Sequence, residues 1–299
     1  MSQWHFCMPF SFRDETKELN DLTRQEASGS FIQLSDGFTH YEISNPGAEE
    51  TIVLVHGFSV PYFIYDPTFE FLTKSGFRVV RYDLFGRGFS DRPEARYNID
   101  LFVRQLDDLL HGLRFTQPVT LVGLSTGGPI TTVFAAHHPE HLNKLVLIDP
   151  VGAKPLPFSW ILKVAAMPIL GEIIISLLRS DNLDNKIASR FFDRELIGHF
   201  QSRYIVQMQY KGFKRAILST LRNHILDPFL DSYECIGKMD KPVLLFWGRD
   251  DPTVPFQHSQ PLRKAIPAIE FHAIEHCGHT PHYEKPEVVN PILLEFLRK

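Results

Sequence analysis

Ser125 stands in the run Gly123-Leu124-Ser125-Thr126-Gly127, followed by Gly128 and Pro129. A serine hydroxyl is a weak nucleophile until a neighbouring base takes its proton and an acid orients that base. The six residues before it, Val119–Leu124, form a short apolar run of the kind buried strands show, and residues 126–138 after it read as a helix. Strand, tight turn and helix are the context that a G-x-S-x-G nucleophile elbow requires. Side chains two residues from a strained apex would collide, so glycines at 123 and 127 clear the turn. Pro129 falls in the first helical turn, where a missing N–H leaves nothing unsatisfied. The helix N-terminus beneath the serine oxygen favours negative charge.

An elbow serine takes its acid and then its histidine from later in the chain. Trp247-Gly248-Arg249-Asp250-Asp251 offers two acids. His276, His279 and His282 compete as the base.

These side chains need a scaffold that brings them to one edge. Residues 30–44 read as a hairpin around Asp36-Gly37. Thr51–Gly57, Phe77–Leu84, Val119–Leu124, Lys144–Pro150, Lys241–Gly248 and Ile269–Glu275 are Val/Leu/Ile-rich runs suited to parallel strands covered on both faces. Helical stretches alternate with them at Pro67–Ser75, Asn98–Phe115, Thr126–His138, Pro261–Ala265 and Glu284–Lys299. The pattern predicts an α/β fold with a doubly wound, mostly parallel sheet. The alternation breaks between residues 154 and 238, where only apolar and amphipathic helical segments occur. We therefore expect an inserted helical cap there, a core of residues 28–153 and 239–299, and an N-terminal extension of residues 1–27.

Within the insertion, Leu156–Leu178 is long enough to span a bilayer, but Lys163, Pro168, Gly171 and Glu172 interrupt it. Pro168 and Gly171 should divide it into two helices. Its apolar side chains, Leu162 and Ile174 among them, would then line a pocket for lipophilic groups.

The bulk properties exclude other classes. The formal net charge is −4 with no basic block, so nucleic acid is not an expected partner. Three scattered cysteines give neither a zinc motif nor a disulfide framework, and the N-terminus lacks the features of a signal peptide. A reducing, cytoplasmic location is expected. His137 and His141 share a helix end but supply too few ligands for a metal, and Gly86-Arg87-Gly88 lacks the lysine of a phosphate loop.

His56-Gly57-Phe58, Asp83–Pro93, Gly123–Gly128, Trp247–Pro255 and His276–Pro286 occur in order at strand ends. Together they resemble the α/β-hydrolase fold superfamily, in its serine-esterase form, from about Ser28 to Lys299. The resemblance implies Ser125 as nucleophile, Asp251 as acid and His279 as base, with Asp250 and Asp149 as lesser acid candidates and His276 and His282 as surface or supporting residues. It implies an oxyanion hole from the backbone N–H groups of Phe58 and Thr126, a structural turn at Asp83–Pro93, and no cofactor or metal. The expected reaction is hydrolysis of a small, lipophilic carboxylic ester through an acyl-enzyme. Carbon–carbon bond hydrolysis of the meta-cleavage type and perhydrolysis are rivals, and a non-catalytic small-molecule receptor is the alternative outside enzymes. An aspartate at position 125 would have pointed to an epoxide hydrolase or dehalogenase.

Overall fold

The structure, a computed structural model, describes residues 12–156, 164–177 and 195–299. Eight strands form one mixed sheet in the order β1-β2-β4-β3-β5-β6-β7-β8. Strands β1 (Ser30–Leu34) and β2 (Gly37–Ser44) form the antiparallel hairpin, and β2 pairs antiparallel with β4 (Arg78–Tyr82). From β4 onward the sheet is parallel through β3 (Thr51–Val55), β5 (Val119–Leu124), β6 (Leu142–Ile148), β7 (Val243–Gly248) and β8 (Glu270–Ile274). Every residue of β3, β5 and β7 is buried, which is what two covered faces demand of apolar runs.

The flanking helices are α1 (Asp21–Glu26), α2 (Asp66–Lys74), α3 (Ile99–Gly112) and α4 (Gly127–His137). Between β6 and β7 lie α5 (Leu170–Leu177), α6 (Leu196–Met208), α7 (Phe213–Arg222) and α8 (Leu230–Gly237). After β7 come α9 (Ser259–Ala265), α10 (Pro281–Glu284) and α11 (Pro286–Arg298). The C-terminal helix expected from Glu284 onward begins two residues later, at Pro286, and a separate helical turn, α10, precedes it. Lys285 precedes Pro286 and sits at φ −133°, ψ 51°, because a proline ring drives the residue before it out of the helical region.

The apolar run of the insertion breaks at Ala166–Ile169, around Pro168; its first part, residues 157–163 with Leu162, and residues 178–180 lie outside the described residues. Gly171 falls inside α5 rather than at the break. A Cβ there would strike the Ala165 carbonyl, so the glycine permits a close approach. Arg222 on α7 pins this segment through two bonds to Glu172, at 2.6 and 2.8 Å, and two to the Ala166 and Met167 carbonyls. Among the described residues no helix is long and apolar enough to cross a membrane.

The N-terminal segment is stitched to the inserted helices, which its composition did not foretell. Buried Glu15 accepts the backbone N–H groups of Gly212 and Lys214, at 2.7 and 2.6 Å, and Lys17 pairs with residues 209–211 through backbone bonds. Burial raises the Glu15 carboxyl above its ordinary value, and those N–H groups act against it.

Candidate active site

The carboxyl ends of β3, β5, β6, β7 and β8 are neighbours, and each delivers one element of the site. Open α/β sheets bind ligands at that edge. Ser125 follows β5 directly at φ +54°, a left-handed conformation that side chains other than glycine rarely adopt. Its N–H donates to Ile148 O at 2.9 Å, and its carbonyl accepts from Gly128 N at 3.0 Å and Val151 N at 3.2 Å. These bonds hold the strained turn. A Cβ on Gly123 would meet Gly127 O and Thr131 Oγ1, and one on Gly127 would meet Val55 O. The two glycines are therefore the condition for placing α4 so tightly behind the serine.

Asp251 follows β7, and His279 follows β8. His279 Nδ1 lies 2.7 Å from Asp251 Oδ2, with both side chains buried. The other Asp251 oxygen accepts the N–H groups of Thr253 at 2.7 Å and Val254 at 3.0 Å. With Nδ1 engaged, Nε2 is the histidine nitrogen left to face a nucleophile. Asp250 is exposed; its backbone N–H donates to Cys277 O, and its carboxylate is not brought to the histidine.

The competing histidines separate by environment. His276 is exposed at φ +50°. His282 is fully buried against the Tyr65 ring, 4.6 Å between centroids; burial and then the nearby His279 push its pKa down to about 3. It is neutral at physiological pH. Cys277 is buried, and burial pushes its thiol pKa up, so it packs as an apolar side chain.

Ser125 and His279 share a cavity with Phe58, Val60, Ile64, Leu124, Phe200, Thr280 and the loop residues Gly57 and Ser59. Its walls are apolar, and no Lys, Arg, Asp or Glu lines it among the described residues. Phe200 on α6 is the wall contributed by the inserted helices; Ile174 is half-buried and does not line the cavity. Thr126 is the N-cap of α4, and no described backbone carbonyl accepts either its N–H or that of Phe58.

The loop carrying Phe58 is braced from below and above. His56 Nε2 accepts the Leu84 N–H at 2.9 Å and Nδ1 meets Gly57 O at 2.9 Å; burial lowers its pKa to about 4, so it stays neutral. Arg87, wholly buried, donates to Phe58 O at 2.8 Å, Phe85 O at 3.1 Å and Thr220 Oγ1 of α7 at 2.8 Å. Burial lowers its pKa to about 10, still charged at neutral pH. Gln207 of α6 donates to Ser59 O and accepts the Gly88 N–H, both at 2.9 Å. The turn at Asp83–Pro93 is bonded to the Phe58 loop and to α6, in keeping with the structural role that the resemblance implied. Gln207, Thr220 and Phe200 carried no motif, and only a buried stripe on α6 and α7 could have marked them.

The one group of described side chains arranged as metal ligands is Asp149, Asp251 and His279. Asp251 and His279 spend their facing atoms on each other, and Gly248 N donates to Asp149 Oδ1 at 2.9 Å. Both Asp251 oxygens are thus taken, and among the described residues Asp149 Oδ2 is the one carboxylate oxygen of the group left without a hydrogen bond.

The sheet, the elbow and the acid–histidine pair together define a hydrolase scaffold. The profile of the alpha/beta hydrolase family matches residues 52–292, and the chain belongs to that family. It is 30% identical to a 2-hydroxy-6-oxononadienedioate/2-hydroxy-6-oxononatrienedioate hydrolase of Paraburkholderia phymatum, covering 92% of this chain and 98% of that one. A like-named enzyme of Dechloromonas aromatica is 28% identical over 91% of this chain and 96% of its own length. Among solved structures, the meta-cleavage product hydrolase of Pseudomonas fluorescens superposes with a TM-score of 0.75 at 23% identity, covering 90% of this chain and 97% of that one.

Proposed function

We propose that this chain is a serine hydrolase that cleaves uncharged, lipophilic carboxylic esters, with Ser125, His279 and Asp251 as its triad. His279 Nε2 takes the Ser125 proton as the serine oxygen attacks the carbonyl. The Phe58 and Thr126 N–H groups receive the oxyanion. Asp251 holds the imidazole in the tautomer that keeps Nε2 free and stabilises the imidazolium. The alcohol leaves with the histidine proton, and water activated by the same nitrogen releases the acid. Residues 154–238 act as a cap on a core of residues 28–153 and 239–299.

By likeness alone, carbon–carbon bond hydrolysis has the better support, since the relatives are named for dienedioate and trienedioate substrates. It stands as the second reading. What turns our reading toward esters is the cavity: a dioate carries two carboxylates, and no cation is among the described lining residues to receive one. Phe200, Val60 and Ile64 suit an alkyl chain instead.

Nitrophenyl esters of increasing acyl length, assayed beside a vinylogous diketone acid, test this. Each CH₂ buried should add about fourfold to kcat/KM, from roughly 0.8 kcal/mol per group, until the cavity is full. Turnover of the diketone acid far above every ester would favour the second reading. Acetate as the best ester would remove the lipophilic preference.

A further inference from the structure

Asp149 is a carboxyl group at the site that the proposed mechanism leaves unused. It follows β6, between the strand that presents Ser125 and the strand that presents Asp251. Its backbone is held at φ +41°, unusual for a residue with a side chain, and its N–H donates to Phe246 O at 3.1 Å. Oδ1 accepts the Gly248 N–H; Oδ2 is buried and has no hydrogen-bond partner among the described residues. Side-chain atoms of Asp149, Asp251 and His279 lie within 4.8 Å of one another.

Two buried carboxylates this close do not both carry charge, and the proton goes to the one less supported. Asp251 receives two backbone N–H groups and the His279 ring N–H. Asp149 receives one backbone N–H. We propose that Asp149 is a positioning residue that keeps its proton at neutral pH and turns its carboxylic acid toward Asp251, so that a single negative charge faces His279. The assignment rests on the triad reading above. Burial first, and the Asp251 charge second, raise the Asp149 carboxyl well above the ordinary carboxylate range. The other titratable groups nearby are Glu284, whose carboxylate accepts the Gly278 and Thr280 N–H groups at 3.2 Å, and the buried Cys277 thiol. An asparagine at 149 would reproduce the protonated acid: its oxygen accepts from Gly248 and its NH₂ donates toward Asp251.

Three variants test the idea. Asp149→Asn should keep kcat/KM within about threefold of the parent and leave the acid limb of the pH profile in place. If Asp149 were ionised, removing its charge so near the imidazole would move that limb down by roughly two pH units, and that result overturns the proposal. Asp149→Ala, which removes the donor, should lower kcat roughly tenfold at unchanged KM. Equal activity of the Asn and Ala variants would overturn the positioning role. Thermal melting supplies a readout that needs no activity. A native-state carboxyl raised above its unfolded value stabilises fully below about pH 4 and loses that contribution as pH rises. Asp149→Asn should therefore gain melting temperature on the parent between pH 4 and 7; a constant difference overturns the proposal. Full activity in Ser125→Ala would instead remove the triad reading and leave the melting series able to answer for Asp149.

Discussion

Among the described residues are two buried histidine–aspartate pairs of the same length, and one of them borders the cavity that holds Ser125. His279 Nδ1 meets Asp251 Oδ2 at 2.7 Å at the carboxyl edge of the sheet. His40 Nδ1, on β2, meets Asp83 Oδ2 at 2.7 Å just past the end of β4. The difference lies in what the remaining atoms do. His40 Nε2 is spent on Ser28 O at 2.5 Å, and its ring is packed against Tyr62 and Phe89. Asp83 accepts the Tyr62 and Phe89 N–H groups at 2.9 and 3.0 Å. Both nitrogens of His40 face oxygen, so the ring is satisfied as an imidazolium. Burial opposes that charge, but the Asp83 hydrogen bond and charge outweigh it and leave His40 above the usual histidine value. Asp83 is likewise held below the usual carboxylate range by His40, against its burial. A histidine–aspartate pair becomes a base when the far ring nitrogen opens on a cavity with a nucleophile, and a rivet when it does not.

Asp251→Asn should separate the two pairs most sharply. Loss of the orienting acid should reduce kcat about 10⁴-fold while the protein stays folded. Steady-state kinetics beside a melting curve checks both halves. The corresponding change in the other pair, His40→Ala, should act the opposite way. It leaves Asp83 buried without its cation, so stability should fall by roughly 3–5 kcal/mol, with kcat of the folded fraction nearly unchanged.

That second loss should depend on pH with a definite sign. The His40 contribution is complete below the unfolded histidine value of about 6.5 and is lost as pH rises through its higher folded value. The Asp83 contribution is complete above about 3.9 and is lost as pH falls through its lower folded value. Denaturant titrations of parent and variant should differ most between about pH 4 and 6.5.

Phe200→Ala removes one apolar wall and should cost roughly tenfold in kcat/KM on the longest acyl ester accepted, with little effect on acetate. A uniform loss across the series would place Phe200 in folding rather than in chain selection. Asp250→Asn should be the mildest, within about twofold in kcat/KM, since surface changes rarely matter.

The elbow was legible because its glycines are forced: Gly123 and Gly127 each face a backbone carbonyl, and no side chain fits there. The buried strands were legible as apolar runs, with ends shifted by one or two residues. The choice of Asp251 over Asp250 came from resemblance and not from spacing alone. The geometry separates the two by exposure and by the Thr253 and Val254 N–H groups. His40 and Asp83 are 43 residues apart and meet because β2 pairs with β4, a pairing that no local pattern encodes. Gln207 and Thr220 reach the Phe58 loop through tertiary packing, so their ordinary helical surroundings concealed them. The last helix starts at Pro286, two residues after the helical pattern does, because Lys285 is held out of the helical region by the proline that follows it.

Every role proposed for this site depends on Ser125 being a nucleophile activated by His279 and Asp251. A serine-directed fluorophosphonate, followed by digestion and mass spectrometry, tests it most directly. The adduct should sit on the peptide holding Ser125, be absent from Ser125→Ala, and form far more slowly in Asp251→Asn. Labelling at another residue, or hydrolysis undiminished in Ser125→Ala, would contradict the claim.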